Sequence, residues 1–445
     1  MDSGTTGYYF VIFRVDLTPS GEATYFTVFR EVPETDRDYG MAALRGLESQ
    51  GHIFGITEAT NDPGFLRFLM HGFANSEIVN DHGTSLSFQA SEVGNENLDP
   101  ERIGTIRPVN TEQSNTSVII DDRYILKIYR NSKEGQNPDY AVPLQLVKKN
   151  FIHTPAPVGI CTLSKEGSRR DLMSLFQFIP GSRDCWSVMT GMLKTYLTSH
   201  GGDAPALMAC RSLAEQLGKL TADLHLSLSS IDMPDFIPVA PDTLDHGKVV
   251  DRIRKLQNDA LEVTKMAHHT GSRNSSLAAK LSDQLASSRV GVPTDIDDEL
   301  KIRIHGDYHL GQILQAGEFL YVIDFEGEPS RTMQERNEKW FPEKDVAGML
   351  RSLDYAVNFS FKTANVAHIS DNETEDLSRD LQEHFLETYL RYSRKGIFIN
   401  RRRETFNALL GYFIVEKALY ELVYELNNRP DWADIPMKYL LKTLR

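Results

Sequence analysis

The chain has 445 residues, with 48 Lys and Arg against 62 Asp and Glu and a formal net charge of −14. Forty per cent of its residues are hydrophobic and 25% charged, which fits a soluble globular chain with a large core and excludes collagen-like, disulfide-rich and wholly disordered classes. An acidic balance argues against a grip on nucleic acid by general electrostatics, since little would drive counterion release.

The cysteines, Cys161, Cys185 and Cys210, are too few and scattered for a disulfide framework or a metal knuckle, and read as free thiols in a reducing compartment. The start, Met1-Asp2-Ser3-Gly4-Thr5-Thr6, shows neither a basic nor an apolar signal region, and no apolar run approaches the ~20 residues of a membrane span. A cytoplasmic protein with no membrane and no nucleic-acid partner is expected.

Residues 8–17 and 23–32 are rich in aromatic and β-branched side chains and flank Thr18-Pro19-Ser20-Gly21-Glu22, the pattern of a hairpin. Residues 51–59 read as a further strand, and 65–73 as a strand or a helix. Residues 92–104 lose the apolar pattern and read as a linker, so a small β-rich cap domain is expected over 1–104. Ser117–Ile120 and Tyr124–Tyr129 predict a second tight hairpin around Asp121-Asp122-Arg123, and Leu172–Ile179 another strand before Pro180-Gly181. From about 184 the chain turns helical. Leu213, Leu217, Leu220 and Leu224 share one helical face, as do Val415, Leu419, Leu422 and Leu426 before the stop at Asn427-Asn428-Arg429-Pro430. The expected architecture is α+β and two-lobed: the cap, a β-rich lobe over 105–183 and a mainly helical lobe over 184–445.

The chemistry concentrates in His305-Gly306-Asp307-Tyr308-His309-Leu310-Gly311-Gln312 and the downstream Ile323-Asp324-Phe325-Glu326. Residues 313–320, turning at Ala316-Gly317, predict a hairpin that folds Asp324 back beside Asp307. Phosphoryl transfer from ATP needs such a set: one carboxylate to accept the proton of the attacking hydroxyl, and a carboxylate plus an amide oxygen to hold Mg²⁺. Protein kinases provide it as H-R-D-x-x-x-x-N followed by D-F-G. His-Gly-Asp, Gln five residues after the Asp, and Asp-Phe-Glu repeat that order, making Asp307 the candidate base and Gln312 and Asp324 the candidate Mg²⁺ ligands. An acidic surface turn is the competing reading, set aside by four matching elements at matching spacing. His305 and His309 lack the helical face and H-E-x-x-H pattern of a zinc site, and His305 reads as a brace for the loop.

Lys127, on a predicted strand upstream, is the candidate cation for the ATP phosphates. Neither G-x-G-x-x-G nor a Walker loop is present, so the candidate phosphate loop is Glu112-Gln113-Ser114-Asn115-Thr116-Ser117, with Ser114, Asn115 and Thr116 approaching the phosphates. Gln177-Phe178-Ile179-Pro180-Gly181 falls where an adenine-binding hinge belongs, with the backbone of Gln177 and Ile179 as the contacts.

These segments together resemble the maltokinase family, within the aminoglycoside-phosphotransferase-like branch of the kinase fold. The resemblance spans about residues 104–440. It also rests on Leu217-Gly218-Lys219-Leu220-Thr221-Ala222-Asp223-Leu224-His225, Gly327-Glu328-Pro329, Asp345–Ser352 and Glu416-Lys417-Ala418-Leu419-Tyr420-Glu421. It implies ATP- and Mg²⁺-dependent phosphorylation of maltose at its anomeric hydroxyl, in α-glucan synthesis, with a trehalose synthase or a maltosyltransferase as candidate partner. It further implies a sugar pocket lined by the helix from Glu416 to Glu425, and His305 and Glu326 join Asp307 there as candidate substrate contacts.

That helix reads the same way from its residues. Lys417, Tyr420, Glu421 and Tyr424 share a face opposite the leucine stripe, mixing aromatic surface with charges that bracket hydroxyls. A solvated amphipathic face is the competing reading. Asp345 is a candidate brace of the catalytic loop. One departure stands out: the family pattern often places a Glu after Asn-Pro-Asp-x, paired with the strand lysine, whereas Asn137-Pro138-Asp139-Tyr140 is followed by Ala141. Either Asp139 or another carboxylate takes that place, or Lys127 is less well held. Two other functions compete with maltose phosphorylation. One is an amino-sugar (glucosamine) kinase, with Glu421 and Glu425 near an ammonium; the other is an ATP-binding pseudokinase or scaffold.

Overall fold

The computed structural model describes residues 7–16, 22–49, 51–81, 83–93, 98–99, 103–109, 115–199, 204–269, 274–288, 290–291, 293, 296, 299–328, 331–364, 371–399 and 403–444. They fall into two compact units, Met1–Gly181 and Ser182–Arg445. The turn residues 18–21 and most of the expected linker lie outside the described residues.

In the first unit, β1 (Tyr8–Asp16) and β2 (Glu22–Pro33) form the expected antiparallel pair, with Tyr8 opposite Arg30. With β3 (Leu44–Ser49) and β4 (His52–Glu58) they make a sheet in the order β1-β2-β4-β3. Residues 63–75 are helix α1 (Pro63–Asn75) rather than a strand. Asp62 caps it through Phe65 N–H at 2.9 Å, Pro63 opens it, and Phe65, Leu66, Leu69, Met70 and Phe73 are buried at helical spacing.

A seven-stranded sheet follows, in the order β5-β6-β10-β11-β9-β8-β7. Its strands are β5 (Ile78–Asp81), β6 (Thr84–Ala90), β7 (Ile106–Val109), β8 (Thr116–Ile120), β9 (Tyr124–Ile128), β10 (Pro157–Lys165) and β11 (Ser168–Gln177), with helix α2 (Pro138–Lys148) between β9 and β10. The β8–β9 turn carries positive φ at Asp121 (54°) and Asp122 (51°), the left-handed pair that matches a two-strand twist. Because β6 pairs with β10, the stretches expected as cap and β-rich lobe share one sheet. They also share one core, in which Phe26, Phe65, Phe73 and Phe88 meet Val118, Leu126, Val158 and Leu175.

The second unit is mainly helical, as expected. It holds a small sheet of β12 (Arg183–Asp184), β13 (Ile313–Ala316) and β14 (Phe319–Val322), in that order. Around it lie α3 (Cys185–Thr198), α4 (Ala204–Ser229), α5 (Thr243–His269), α6 (Ser275–Ser287), α7 (Met333–Asn337), α8 (Glu343–Ala364), α9 (Asp371–Ser393), α10 (Arg403–Asn428) and α11 (Asp434–Thr443). Helix α4 packs on α9, and α8 and α5 on α10. The leucine stripes of α4 and α10 are buried, with Leu213, Leu217, Leu220, Leu224, Leu419 and Leu422 each at most 3% exposed. Among the described residues no helix is long and apolar enough to cross a membrane, and the cysteines are free and buried.

Candidate active site

Within the first unit, Lys127 sits on the interior strand β9, between β8 and β11, and its Nζ lies 2.9 Å from Asp139 Oδ2. Asp139 opens α2 under the cap of Asn137, whose side chain accepts the Asp139 N–H at 3.0 Å. It is 1% exposed and also accepts from Tyr129 OH at 3.1 Å, while that hydroxyl meets Ser174 Oγ at 2.6 Å. Asp139 is thus a buried carboxylate that Lys127 meets, two residues before Ala141 on the same helix. The other expected nucleotide contacts are placed less tellingly. Thr116 accepts Arg130 Nε at 2.7 Å and opens β8, with Asn115 just before it, and Ser114 lies outside the described residues. Gln177 ends β11 with its N–H on the Ala156 carbonyl at 2.9 Å, two residues before Ile179.

Within the second unit, the loop 305–312 is held from beneath by Asp345, near the start of α8. Its carboxylate accepts His305 N–H at 2.7 Å and Gly306 N–H at 2.9 Å, and meets His225 Nε2 at 3.2 Å. His225 Nδ1 in turn meets Tyr389 OH at 3.0 Å. Burial pushes the Asp345 carboxyl up, but the His225 hydrogen bond, the nearby histidines and the Gly306 N–H outweigh it and hold it below the usual carboxylate range. Gly348, one turn further along α8, lets the loop come close: a Cβ there would stand 2.4 Å from the Tyr308 carbonyl oxygen. His305 is 2% exposed, packs on Phe325 and meets the Ile323 carbonyl through Nε2 at 3.0 Å.

The β13–β14 hairpin pairs Ile313 with Val322 and turns through Gly317 at φ 60°, as the sequence predicts. It brings Gln312 to Asp324, whose Oδ2 accepts the Gln312 amide at 3.0 Å. Asp324 itself has φ 65°, a left-handed conformation uncommon outside glycine and concentrated at functional sites. With the Gln312 nitrogen turned to Asp324, its amide oxygen and the Asp324 carboxylate are the hard oxygen donors that would suit Mg²⁺.

Asp307 Oδ1 lies 3.0 Å from Lys417 Nζ, on α10. Burial pushes the Asp307 carboxyl up, yet Lys417 and His309 together pull it below its ordinary value, so the group is ionised at neutral pH. Burial likewise lowers Lys417, but Asp307 and Glu328 raise it more. Glu328, 5% exposed, is gripped by Arg252 at 2.6 Å, Lys344 at 2.7 Å and Arg331 at 3.1 Å, and Arg252 also pairs with Glu416.

A cavity of about 370 Å³ opens beside this pair and is lined by Lys417, Tyr420, Glu421, Tyr424 and Glu425 of α10 and by Ser352, Tyr355 and Phe359 of α8, with His309, Trp186, Arg429 and Trp432. Glu421 is fixed through one oxygen: Arg351 Nε and Nη2 both reach its Oε2, at 3.1 and 2.6 Å. Its Oε1 has no hydrogen-bond partner among the described residues. Glu425 is engaged through both oxygens, with Tyr355 OH at 2.8 Å and Arg429 at 2.6 and 3.1 Å. Of the expected substrate contacts, Lys417, Tyr420 and Glu421 thus gather at the cavity beside Asp307. Glu326 pairs instead with Arg336 at 3.3 Å and does not line it.

The sequence pattern of the phosphotransferase enzyme family matches residues 105–327, just over half of the chain. The chain belongs to that family. Among curated proteins this phosphotransferase is 24% identical over 332 residues to a glucosamine kinase of Mycolicibacterium smegmatis, covering 74% of this chain and 77% of that protein. It is 26% identical over 338 residues to a glucosamine kinase of Streptacidiphilus jiangxiensis, covering 74% and 71%. In fold it is similar to a glucosamine kinase solved in complex with glucosamine, ADP and inorganic phosphate, with TM-score 0.66 and 19% identity over 100% of this chain and 96% of that one. A second crystal form of a glucosamine kinase gives TM-score 0.69 at 19% identity, covering 98% and 93%. The phosphotransferase therefore has the kinase-like fold, with ATP use implied by its family.

The sequence reading of this phosphotransferase missed the α8 wall of the cavity. Gly348, Ser352, Tyr355 and Phe359 recur at intervals of 4, 3 and 4, a helical stripe of mixed character that was open to view. Trp186 and Trp432 carried no such signal, because they reach the cavity from separate elements.

Proposed function

We propose that the protein is an ATP- and Mg²⁺-dependent kinase for an amino sugar of the glucosamine class. The observation that carries the acceptor is Glu421: a carboxylate lining the cavity, held rigid by Arg351 through one oxygen and with the other unpartnered among the described residues. An ammonium on the acceptor completes that carboxylate with a charge-assisted bond, whereas an uncharged sugar offers only neutral hydroxyls. The glucosamine kinases to which the chain is similar support the same class.

Asp307 accepts the proton of the acceptor hydroxyl as that oxygen bonds the γ-phosphorus of ATP, whose bond to the ADP oxygen breaks with the electron pair leaving on ADP. Lys417 keeps Asp307 ionised for that task. Gln312 and Asp324 hold Mg²⁺, which neutralises phosphate charge. Lys127, positioned by Asp139, pairs with the phosphates, and His305 with Asp345 fixes the loop.

Phosphorylation of maltose at the anomeric hydroxyl, with a trehalose synthase or a maltosyltransferase as partner, is the competing reading carried by the sequence resemblance. Consumption of ATP with Mg²⁺ is to be measured against glucosamine, maltose, glucose and an aminoglycoside. Selective turnover of glucosamine is expected. Maltose 1-phosphate as the main product overturns the acceptor, and ATP binding without turnover of any sugar points to a pseudokinase.

A further inference from the structure

The partner of Lys127 is itself held from behind. Asp139 Oδ2 receives the Lys127 ammonium at 2.9 Å and the Tyr129 hydroxyl at 3.1 Å, and that hydroxyl meets Ser174 Oγ at 2.6 Å. Asp139, Tyr129 and Ser174 are 1%, 2% and 0% exposed, so little solvent reaches them. A carboxylate paired with an ammonium only accepts, so the Tyr129 proton goes to Asp139 and the Ser174 proton to the Tyr129 oxygen. The donors therefore run in one direction, Ser174 to Tyr129 to Asp139, and each bond polarises the next. All of them hang from two neighbouring strands. Ser174, on β11, stands directly opposite Lys127, on β9. Tyr129 follows β9 with its N–H on the Leu172 carbonyl at 2.9 Å. The start of α2 is tied to β11 as well: Asp171 accepts the Asn137 N–H at 2.7 Å, and Asn137 caps the turn that carries Asp139. Lys127 Nζ also lies 5.8 Å from the centre of the Phe176 ring on β11. A lysine fixed in this way does not have to be ordered by the nucleotide as it binds.

We propose that Tyr129 and Ser174 are positioning residues for nucleotide binding: acting through Asp139, they hold the Lys127 ammonium in place for the phosphates before ATP arrives. This rests on the reading of Lys127 as the cation that pairs with the phosphates and is independent of which sugar accepts the phosphoryl group.

The test is the affinity of the full chain for ATP with Mg²⁺ and no sugar, by titration calorimetry. Lys127→Met is expected to weaken binding about tenfold, Tyr129→Phe about fivefold and Ser174→Ala about threefold. Tyr129→Phe keeps the ring and removes one oxygen, and thermal unfolding checks that the fold is retained. The double variant separates positioning from a general loosening of the sheet. In the Lys127→Met background, Tyr129→Phe should change ATP affinity less than twofold, because the hydroxyl acts only through the ion pair. Ser174→Ala in the same two backgrounds keeps the test valid should the tyrosine variant fold poorly. Wild-type affinity in Tyr129→Phe, or an equal loss with and without Lys127, overturns the positioning role alone. Wild-type affinity in Lys127→Met overturns the assignment of Lys127 to the phosphates, and the positioning role with it.

Discussion

Replacement of Asp345 by Asn tests how the catalytic loop is held. The wild-type carboxylate serves three N–H groups: His225 Nε2 and His305 N on Oδ2, and Gly306 N on Oδ1. Asn has one acceptor oxygen, so in either orientation its amide N–H₂ faces a donor. At least one charge-assisted bond, worth ~1.5–3 kcal/mol, is lost, and a buried N–H is left unpaired at ~1–3 kcal/mol. A fall of about 3 kcal/mol in unfolding free energy is therefore expected from urea titration. Because the released residues precede Asp307, kcat should drop about a hundredfold in an ADP-release assay while the KM for ATP stays nearly constant. The acid side adds a signature. A carboxyl depressed in the folded state stabilises above its unfolded value of about 4, and that stability is lost as pH falls through the folded value. In the Asn variant this component of acid unfolding disappears. Stability within about 0.5 kcal/mol of wild type, together with an unchanged kcat, would refute the bracing role.

Three further substitutions probe separate parts of the account. Lys417→Met removes the main charge opposing burial at Asp307, so the acid limb of the kcat–pH profile should move to higher pH, and an unmoved limb would refute that role. Asp139→Ala leaves Lys127 without its buried partner; a loss of ~3 kcal/mol in stability and about a tenfold rise in the KM for ATP are expected, and unchanged values would assign that partnership elsewhere. Glu343 is fully buried, and burial pushes its carboxyl up to about 8, with Oε1 lacking a hydrogen-bond partner among the described residues. Since its folded value is raised, its cost is absent below about pH 4, grows as pH rises and is complete above about pH 8. Glu343→Gln should therefore raise thermal stability at pH 8–9 with little change near pH 4, read by calorimetry.

Local chemistry was the legible part of this chain. Asp121-Asp122 fixed a hairpin because two short polar side chains tolerate positive φ, and Gly317 fixed another that delivers Asp324 to Gln312. The stripe on α10 announced its buried face and the face that lines the cavity. Contacts between distant segments were harder to read. The pairing of β6 with β10 crosses some seventy residues, and no turn signal or periodicity in either strand names the other. Arg351 looked like an ordinary helical arginine, yet it is wholly buried and clamps Glu421 seventy residues away. The partner of Lys127 is open in the sequence once position 141 is an alanine; the cap on α2 sets Asp139 beside it. Residues 65–73 are ambiguous in periodicity alone, although Asp62 and Pro63 mark a helix start.

The most direct test of the central claim is ³¹P NMR of the products formed from ATP, Mg²⁺ and glucosamine by the wild-type protein and by Asp307→Asn. The expected result is a sugar phosphate ester from the wild type and a rate lowered by about a thousandfold or more in the variant, with its fold and ATP binding retained. An Asp307→Asn rate within tenfold of wild type, or no ester from glucosamine under conditions that give one from maltose, would contradict the account.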